Sequence, residues 1–301
     1  MAHGMSQQFT QSGYAKPVVL DNATCIYCGT PLSSQNRTKE HVIGRRFVPT
    51  GSLDGQWNLI AGACSCCNGR KADLEDDISA ITMAALAKSP SIPNSAQEKI
   101  ARKLTKSHSR RTGKPVSQST ESLSIEGKLN PSCTVSFGLI GPPQVDEQRA
   151  YQLAQCHAMG LFYYLTYNQE AAKGGFWPGE FLPLSHVSSH DWGNTLHRAF
   201  MQEVAAWHPR LLVTTAAGHF KAAIRKHPSS ECWSWALEWN GAHRLIGFFG
   251  AREAAETVSN SLPRPQMKII HQDAHMTRRC RMEVPLMEDE DIMFAVYGEQ
   301  S

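Results

Sequence analysis

The sequence lacks any apolar run long enough to cross a bilayer, and it opens without the pattern of a secretory leader. The longest apolar run covers residues 158–167, which is about half of the ~20 residues that a membrane-spanning helix needs. The opening stretch, MAHGMSQQFTQSGYAK, has no basic start followed by an apolar core. These absences predict a cytoplasmic protein without a membrane partner.

Excess charge of either sign is also scarce. The chain has 30 Lys and Arg against 27 Asp and Glu, a formal net charge of +3. Such a small excess does not predict a nucleic-acid partner, so local clustering of cations has to carry that argument. Residues 98–114 form one such cluster, with seven Lys or Arg against one Glu. Two interpretations stay open for it: a solvated helix or linker, and an arm that follows phosphates.

Cysteines are spaced for metal binding instead of for disulfides. Five of the nine fall between residues 25 and 67, and two Cys-x-x-Cys pairs, Cys25/Cys28 and Cys64/Cys67, are separated by 35 residues. Two such pairs can meet at one tetrahedral Zn²⁺. Cys66 is an alternative ligand in the second pair, although we favour Cys67. Zinc thiolates suit a reducing cytosol better than disulfides do.

The chain divides into four segments by composition. Residues 1–17 are expected to form a flexible tail, and 18–88 a compact unit of strands and one helix held by zinc. Residues 89–120 are rich in Pro, Ser and basic residues and predict a linker or arm. Residues 121–301 predict a mixed α/β domain.

Local patterns place the elements of this second domain. A hairpin is expected around Asn130-Pro131, and helices over 145–167, 194–207 and 251–261. Trp233, Trp235 and Trp239 alternate up to an Asn-Gly turn, which is typical of a β-hairpin. Strands over 267–272 and 278–286 are expected to complete a sheet with helices on one side. The overall class is α+β.

Between and beside the cysteine pairs the sequence reads K39-E-H-V-I43, W57-N-L-I60 and N68-G-R-K71. The order Cys-x-x-Cys, Glu-His, Asn-Leu, Cys-x-x-Cys-Asn-x-x-Lys resembles the zinc-bearing HNH endonuclease family over about residues 20–87. The core of that family is a ββα-metal fold. The resemblance implies His41 as general base, Glu40 and Asn68 as ligands of a catalytic ion, and Asn58 as a brace of the loop. It also implies structural Zn²⁺ on the four cysteines.

The match departs from the family pattern in three places. Glu-His replaces the common Asp-His, Asn68 replaces a final His, and Gly44 stands where a proline often follows. Glu and Asn still offer oxygen ligands.

The chemistry of phosphodiester hydrolysis agrees with these residue types. A neutral imidazole can accept a proton from water near neutral pH, and oxygen donors suit Mg²⁺ or Mn²⁺. Lys71 is expected to add positive charge at the phosphate. Arg45, Arg46 and Arg70 are expected either to contact neighbouring phosphates or to be solvated.

Simpler roles compete with some of these assignments. His41 could be a packed histidine, and Asn68 a helix N-cap. Two histidine groups of the second domain have metal-like spacing without further support: His186/His190/Asp191 and His271/Asp273/His275. The Trp stripe is more typical of a core than of a base-stacking platform.

The sequence therefore predicts a metal-dependent DNA endonuclease that nicks DNA or cuts both strands, the latter requiring a homodimer or two events. Analogy suggests a role in bacterial defence, with a regulatory or targeting domain at 121–301 that binds a protein complex or a small-molecule activator. The alternative is a zinc-dependent DNA-binding module without chemistry, whose larger domain holds a protein partner.

Overall fold

The computed structural model describes residues 10–12, 16–90, 92–130, 133–264, 267–272 and 277–295. Within these ranges the chain forms α-helices and mainly antiparallel sheets, which confirms the α+β class expected from the sequence. In the same ranges no helix combines the length and the apolar composition that a bilayer crossing requires.

The strands are β1 (Thr10–Ser12), β2 (Val18–Val19), β3 (Arg37–His41), β4 (Leu59–Cys64), β5 (Glu121–Asn130), β6 (Cys133–Gly141), β7 (Glu180–Ser188), β8 (His208–Thr215), β9 (Phe220–Lys226), β10 (Cys232–Trp239), β11 (His243–Gly250), β12 (Met267–Gln272) and β13 (Thr277–Arg281). The α-helices are α1 (Ser65–Met83), α2 (Asn94–Lys106), α3 (Glu147–Leu165), α4 (Thr195–Ala205) and α5 (Arg252–Ser261).

The N-terminal part of the chain is a small sheet with a long helix. The sheet has the order β2-β4-β3, in which β3 runs antiparallel to β4. Helix α1 begins immediately after β4 and buries an apolar face that includes Leu74, Ile78 and Ile81. A strand, a second antiparallel strand and a helix therefore follow one another around the cysteine pairs.

The larger part of the chain is built on a six-stranded sheet of order β1-β8-β9-β10-β11-β7. Side chains alternate across β10, so Trp233, Trp235 and Trp239 belong to the core cluster that contains α3, and Ala236 belongs to the cluster of α4 and α5. Helices consequently cover both faces of the sheet, which corrects the expectation that they lie on one side. The Trp stripe is core, as favoured from the sequence.

The sheet and the N-terminal unit share one hydrophobic core. The same buried cluster contains Ile43 and Phe47 of the N-terminal unit, Leu161 of α3, and Trp239 of the sheet. Beyond these apolar contacts, Thr215 Oγ1 donates a hydrogen bond of 2.5 Å to the Trp57 carbonyl. The two parts are thus packed together through buried surface.

Two further segments differ from the sequence predictions, and a third agrees with one of the interpretations left open. Residues 10–12, expected in a flexible tail, form a strand parallel to β8; residues 1–9 and 13–15 lie outside the described ranges. Strands β12 and β13 form a separate two-stranded sheet and do not extend the large one. In the segment 89–120, helix α2 contains the first half of the basic run and agrees with the helix that is one of its open interpretations; α2 packs on α1 and buries Ile100. Short polar or basic segments give little periodic signal, which explains these misses.

Candidate metal centre and active site

The four cysteines of the two pairs lie together. One sulfur from each of Cys25, Cys28, Cys64 and Cys67 falls within 4.8 Å of the other three. The Sγ atoms of Cys28 and Cys64 are 3.8 Å apart. A tetrahedral zinc ion with Zn–S bonds of about 2.3 Å places its sulfurs about 3.8 Å apart. This cluster therefore fits a metal ion such as zinc.

The local fold explains how the sulfurs meet. Cys64 ends β4 and Cys67 lies in the first turn of α1, while the other pair sits in the tight turn after β2. Gly29, with φ of +72°, closes that turn in a conformation that side chains rarely adopt. Cys66 is exposed and lies outside the cluster, so Cys67 completes the set as favoured from the sequence.

The thiols need a cation to be ionised together. Burial raises the pKa of Cys25, and burial with crowding by neighbouring sulfurs raises the pKa of Cys67. At Cys28 burial acts in the same direction, but hydrogen bonds with Thr30 and the other thiols outweigh it and lower the pKa to about 6. Several thiolates at such distances repel one another, and a bound divalent cation removes that repulsion. The chemistry of this donor set thus agrees with its geometry.

Glu40 and Lys71 form a buried ion pair beside the cluster. The Lys71 Nζ lies 2.9 Å from Glu40 Oε1 and 2.6 Å from Glu75 Oε1, and it donates to the His41 carbonyl at 3.2 Å. Tyr27, which stands between the first two cysteines, donates its hydroxyl hydrogen to the same Glu40 oxygen at 3.0 Å. Glu40 and Lys71 are only 3% and 2% exposed.

The electrostatics of this network are dominated by burial. Burial raises the pKa of Glu40 even though the Lys71 ammonium opposes the shift. Burial is the largest single influence on Glu75 and disfavours its ionised form, but Lys71 and His157 together outweigh it and lower the pKa of that carboxyl to about 2. Lys71 is therefore engaged with protein carboxylates, which differs from the expectation that it reaches a phosphate.

His41 ends β3 with a half-buried ring. Alternation along β3 points its ring away from the side that carries Glu40. A base at His41 and an ion held by Glu40 would therefore have to meet beyond the end of the strand, where β3 stops at His41. Burial lowers the pKa of His41, and the cations of Arg45, Lys39 and Lys71 add to that shift. The imidazole is consequently neutral at pH 7, and its ring has no hydrogen bond to any residue in the described ranges. A neutral, accessible imidazole is what a general base requires.

Asn58 holds the turn that follows His41. Its side-chain amide donates to the Ile43 carbonyl at 2.8 Å, and its Oδ1 accepts from the Ile43 N–H at 3.2 Å. Both amide groups are thereby satisfied inside the core, where Asn58 is 3% exposed. These are the bonds that a bracing residue would make.

Asn68 lies one turn before Lys71 on the face of α1 that meets β3. Its Nδ2 donates to Thr38 Oγ1 at 2.9 Å, and no described residue donates to its Oδ1. The N-cap position of α1 is occupied by Cys64, so Asn68 is not the cap. Because Thr38 and Glu40 alternate to the same side of β3, Asn68 and Glu40 project from neighbouring elements toward one region.

The remaining candidates have varied surroundings. Arg45, Arg46 and Arg70 are exposed around the site. His186 instead shares a hydrogen bond of 2.8 Å with His243, and Asp191 pairs with Arg281 at 2.8 Å. Within the described ranges the four-cysteine cluster is the one group with metal-ligand geometry. Asp273 and His275 lie outside those ranges.

Sequence reasoning missed three members of the buried network: Tyr27, Glu75 and His157. His157 of α3 is fully buried, its Nε2 lies 3.8 Å from Glu75 Oε1, and its ring meets the edges or faces of Phe47 and Trp239. Glu75 follows Lys71 by four residues, a helical spacing that favours ion pairs and that could have identified it. His157 gave no such signal.

Comparison of the chain with protein-family models, with curated proteins and with solved structures found no match.

Proposed function

We propose that this protein is a metal-dependent DNA endonuclease of the HNH type, in which His41 is the general base. The observation that carries the proposal is the neutral, half-exposed imidazole at the end of a strand that pairs with β4 and faces the helix of the four-cysteine cluster. The order strand, strand, helix around a thiolate cluster is the arrangement that the sequence resemblance implies.

Each residue then has a defined task. His41 accepts a proton from the attacking water, a step that contributes about 10² to 10⁴-fold. Glu40 Oε2 and Asn68 Oδ1, which accept no hydrogen bond within the described ranges, are the oxygen donors for Mg²⁺ or Mn²⁺. The ion supplies positive charge at the scissile phosphate. Lys71 holds Glu40 in place through their ion pair, and Asn58 holds the turn after His41 through its hydrogen bond to the Ile43 carbonyl.

Zinc at the four cysteines has a structural task in this proposal. It joins the turn that carries Cys25 and Cys28 to the junction of β4 and α1. Since Tyr27 in that turn donates to Glu40, the metal also fixes one of the partners of the candidate ligand.

The experiment is cleavage of supercoiled plasmid in Mg²⁺ and in Mn²⁺. The wild type is expected to produce nicked circles, and His41→Ala to lose at least about 100-fold in rate. His208→Ala, a change of an exposed histidine on β8, serves as the matched control and is expected to keep full activity. Equal rates for the wild type and His41→Ala would refute the assigned base.

A second candidate is a zinc-dependent DNA-binding module without catalysis. The burial of Glu40 at 3% exposure, with one oxygen already paired to Lys71, favours it because an open ion site needs solvent access. DNA retention without cleavage in any divalent metal would support this candidate.

In the endonuclease proposal, the domain that contains the six-stranded sheet would regulate the nuclease site or target it to DNA. A protein complex, a small-molecule activator or a second copy of the chain are the partners we propose for it, and defence against foreign DNA is the context. Because its core is continuous with that of the N-terminal unit, point variants are a better test than deletion of residues 121–301.

A further inference from the structure

A basic groove lies between α1, α2 and the loop at residues 46–50. The cavity has a volume of about 510 Å³. Five cationic residues line it: Arg46, Lys99, Arg102, Lys103 and Lys106. Two carboxylates, Glu75 and Asp76, also line the cavity.

The cations of α2 follow one helical face. Positions 99, 102, 103 and 106 recur at helical spacing, so their side chains share one side of the helix. Ile100 is the one buried side chain of α2 in the described ranges. The seven steps from Lys99 to Lys106 rise about 10 Å along the helix axis. That length can face more than one phosphate of a nucleic-acid strand.

The acidic groups of the groove are already engaged. Glu75 is paired with Lys71, and Asp76 Oδ1 accepts a hydrogen bond of 2.9 Å from Ser107 Oγ. Arg46, Lys99 and Lys106, by contrast, have no carboxylate at ion-pair distance within the described ranges. With five cations against two carboxylates in its lining, the groove keeps an excess of positive charge.

Lys103 is a further cation of the groove, and burial disfavours its charge. Its ammonium is half-buried and donates to the Arg46 carbonyl. Burial lowers the pKa of Lys103 to about 8, against the opposing pull of Asp76 and Glu75. An anion in the groove would stabilise the charged form.

Three cations of the basic run have carboxylate partners, and one of them, Arg102, lines the groove and pairs with Glu98 at 3.3 Å. Arg110 pairs with Asp73 at 2.6 Å, and Arg111 pairs with Glu121. Four cations of the run have no ion-pair partner within the described ranges; Lys99, Lys103 and Lys106 line the groove, and Lys114 lies outside it.

The groove adjoins the loop that follows the candidate base. Glu75 on its wall accepts a hydrogen bond from the Gly44 N–H at 3.2 Å, three residues after His41. Arg46 from the same loop lines the groove. A strand lying in the groove would thus pass close to the end of β3.

We propose that this groove binds the sugar-phosphate backbone of the nucleic-acid strand beside the scissile bond. The position of the bound strand relative to His41 rests on the function proposed above, whereas the binding itself does not. Phosphate contacts of this kind position a strand without reading its sequence.

The test measures binding of a fluorescein-labelled 30-base-pair duplex by full-length His41→Ala protein, without divalent metal, from 50 to 250 mM KCl. Lys99→Ala/Lys106→Ala in that background is expected to bind roughly tenfold or more weakly, with a salt slope smaller by about 2. The matched control is Arg264→Ala/Lys268→Ala, which removes two exposed cations elsewhere and is expected to keep both values.

Two results would overturn the groove proposal. One is a double variant whose affinity and salt slope equal those of the His41→Ala parent, and the other is no binding by that parent at 50 mM KCl. If the double variant has a lowered unfolding midpoint, Arg102→Ala supplies the same comparison with a slope change of about 1. Binding that depends on the groove while the wild type fails to nick plasmid would sink the endonuclease proposal and leave the groove intact. If the wild type nicks plasmid but the double variant binds DNA as tightly as its parent, the groove proposal fails and the endonuclease proposal stands.

Discussion

The side-chain amide of Asn240 donates a hydrogen bond of 3.1 Å to the carbonyl of Phe47, which joins the turn of the β10–β11 hairpin to the loop after the candidate base. The same Nδ2 donates to Thr82 Oγ1 at 2.9 Å, and Asn240 is 2% exposed. A residue that makes a hairpin turn, with φ of +55°, therefore also fastens the sheet to the N-terminal unit.

Asn240→Gly is expected to lower the free energy of unfolding by about 1–3 kcal/mol, because glycine keeps the backbone conformation but leaves buried acceptors unpaired. Asn240→Asp should cost more, since it turns a donor toward the Phe47 carbonyl into an acceptor. Urea denaturation gives both values. A stability of Asn240→Asp equal to that of the wild type would contradict the contact.

Replacement of one cluster cysteine tests the metal centre. The wild type is expected to hold about one zinc ion per chain, and Cys28→Ser is expected to lose it and to unfold at lower urea. Cys66→Ser is the matched control, because Cys66 neighbours the cluster but lies outside it, and should keep its zinc. Elemental analysis of purified protein decides the matter. Full zinc content in Cys28→Ser would remove that sulfur from the site.

Lys71→Met tests the buried ion pair. Removal of the ammonium leaves Glu40 and Glu75 without their cation, which is expected to cost about 3–5 kcal/mol. Lys226→Met, which breaks the more exposed pair with Glu231, should cost less than about 1 kcal/mol. Addition of Glu75→Gln to Lys71→Met should restore part of the loss. Denaturant midpoints of the wild type, Lys71→Met, Lys226→Met and Lys71→Met/Glu75→Gln give these costs. Equal midpoints for Lys71→Met and the wild type would contradict the role of the buried pair.

His157 makes stability fall with acidity. Burial lowers the pKa of His157 to about 4, whereas an unfolded histidine titrates near 6.5. As pH falls from about 6.5 toward 4, the unfolded chain binds a proton that the folded one excludes, so stability decreases by up to about 1.4 kcal/mol per pH unit.

Burial also lowers the pKa of His186, His197 and His243, so His157→Leu should reduce the slope by the share of one histidine. The variant should therefore gain on the wild type at pH 5 relative to pH 7. The exposed His208→Leu should leave the slope unchanged. Urea denaturation between pH 7 and 4.5, with zinc held constant, compares the three proteins. Parallel profiles for His157→Leu and the wild type would exclude this linkage.

Local patterns carried most of the sequence prediction. The pairs Cys25/Cys28 and Cys64/Cys67 were found because metal-ligand spacing is short and rigid. Helices α3 and α4 followed from apolar periodicity, with Asp146 and Asn194 as their N-caps. The Asn-Gly turn gave the β10–β11 hairpin.

What the sequence could not supply depends on contacts between distant residues. The pairing of Thr10 with Leu211 involves a short polar segment that has no strand signal of its own. The burial of Lys71 between Glu40 and Glu75 depends on how α1 lies against β3. The sequence alone does not distinguish a lysine that is exposed on the motif from one that is buried beneath it.

The pairing of β1 with β8 ties the first described strand to one about 200 residues later, across the whole N-terminal unit. Closure of such a loop costs chain entropy before it yields any contact, so this topology has a high contact order and is expected to fold slowly. The edge strand would be among the last to dock. An affinity tag fused ahead of it would therefore interfere with the final stage of refolding more than a tag at the other terminus.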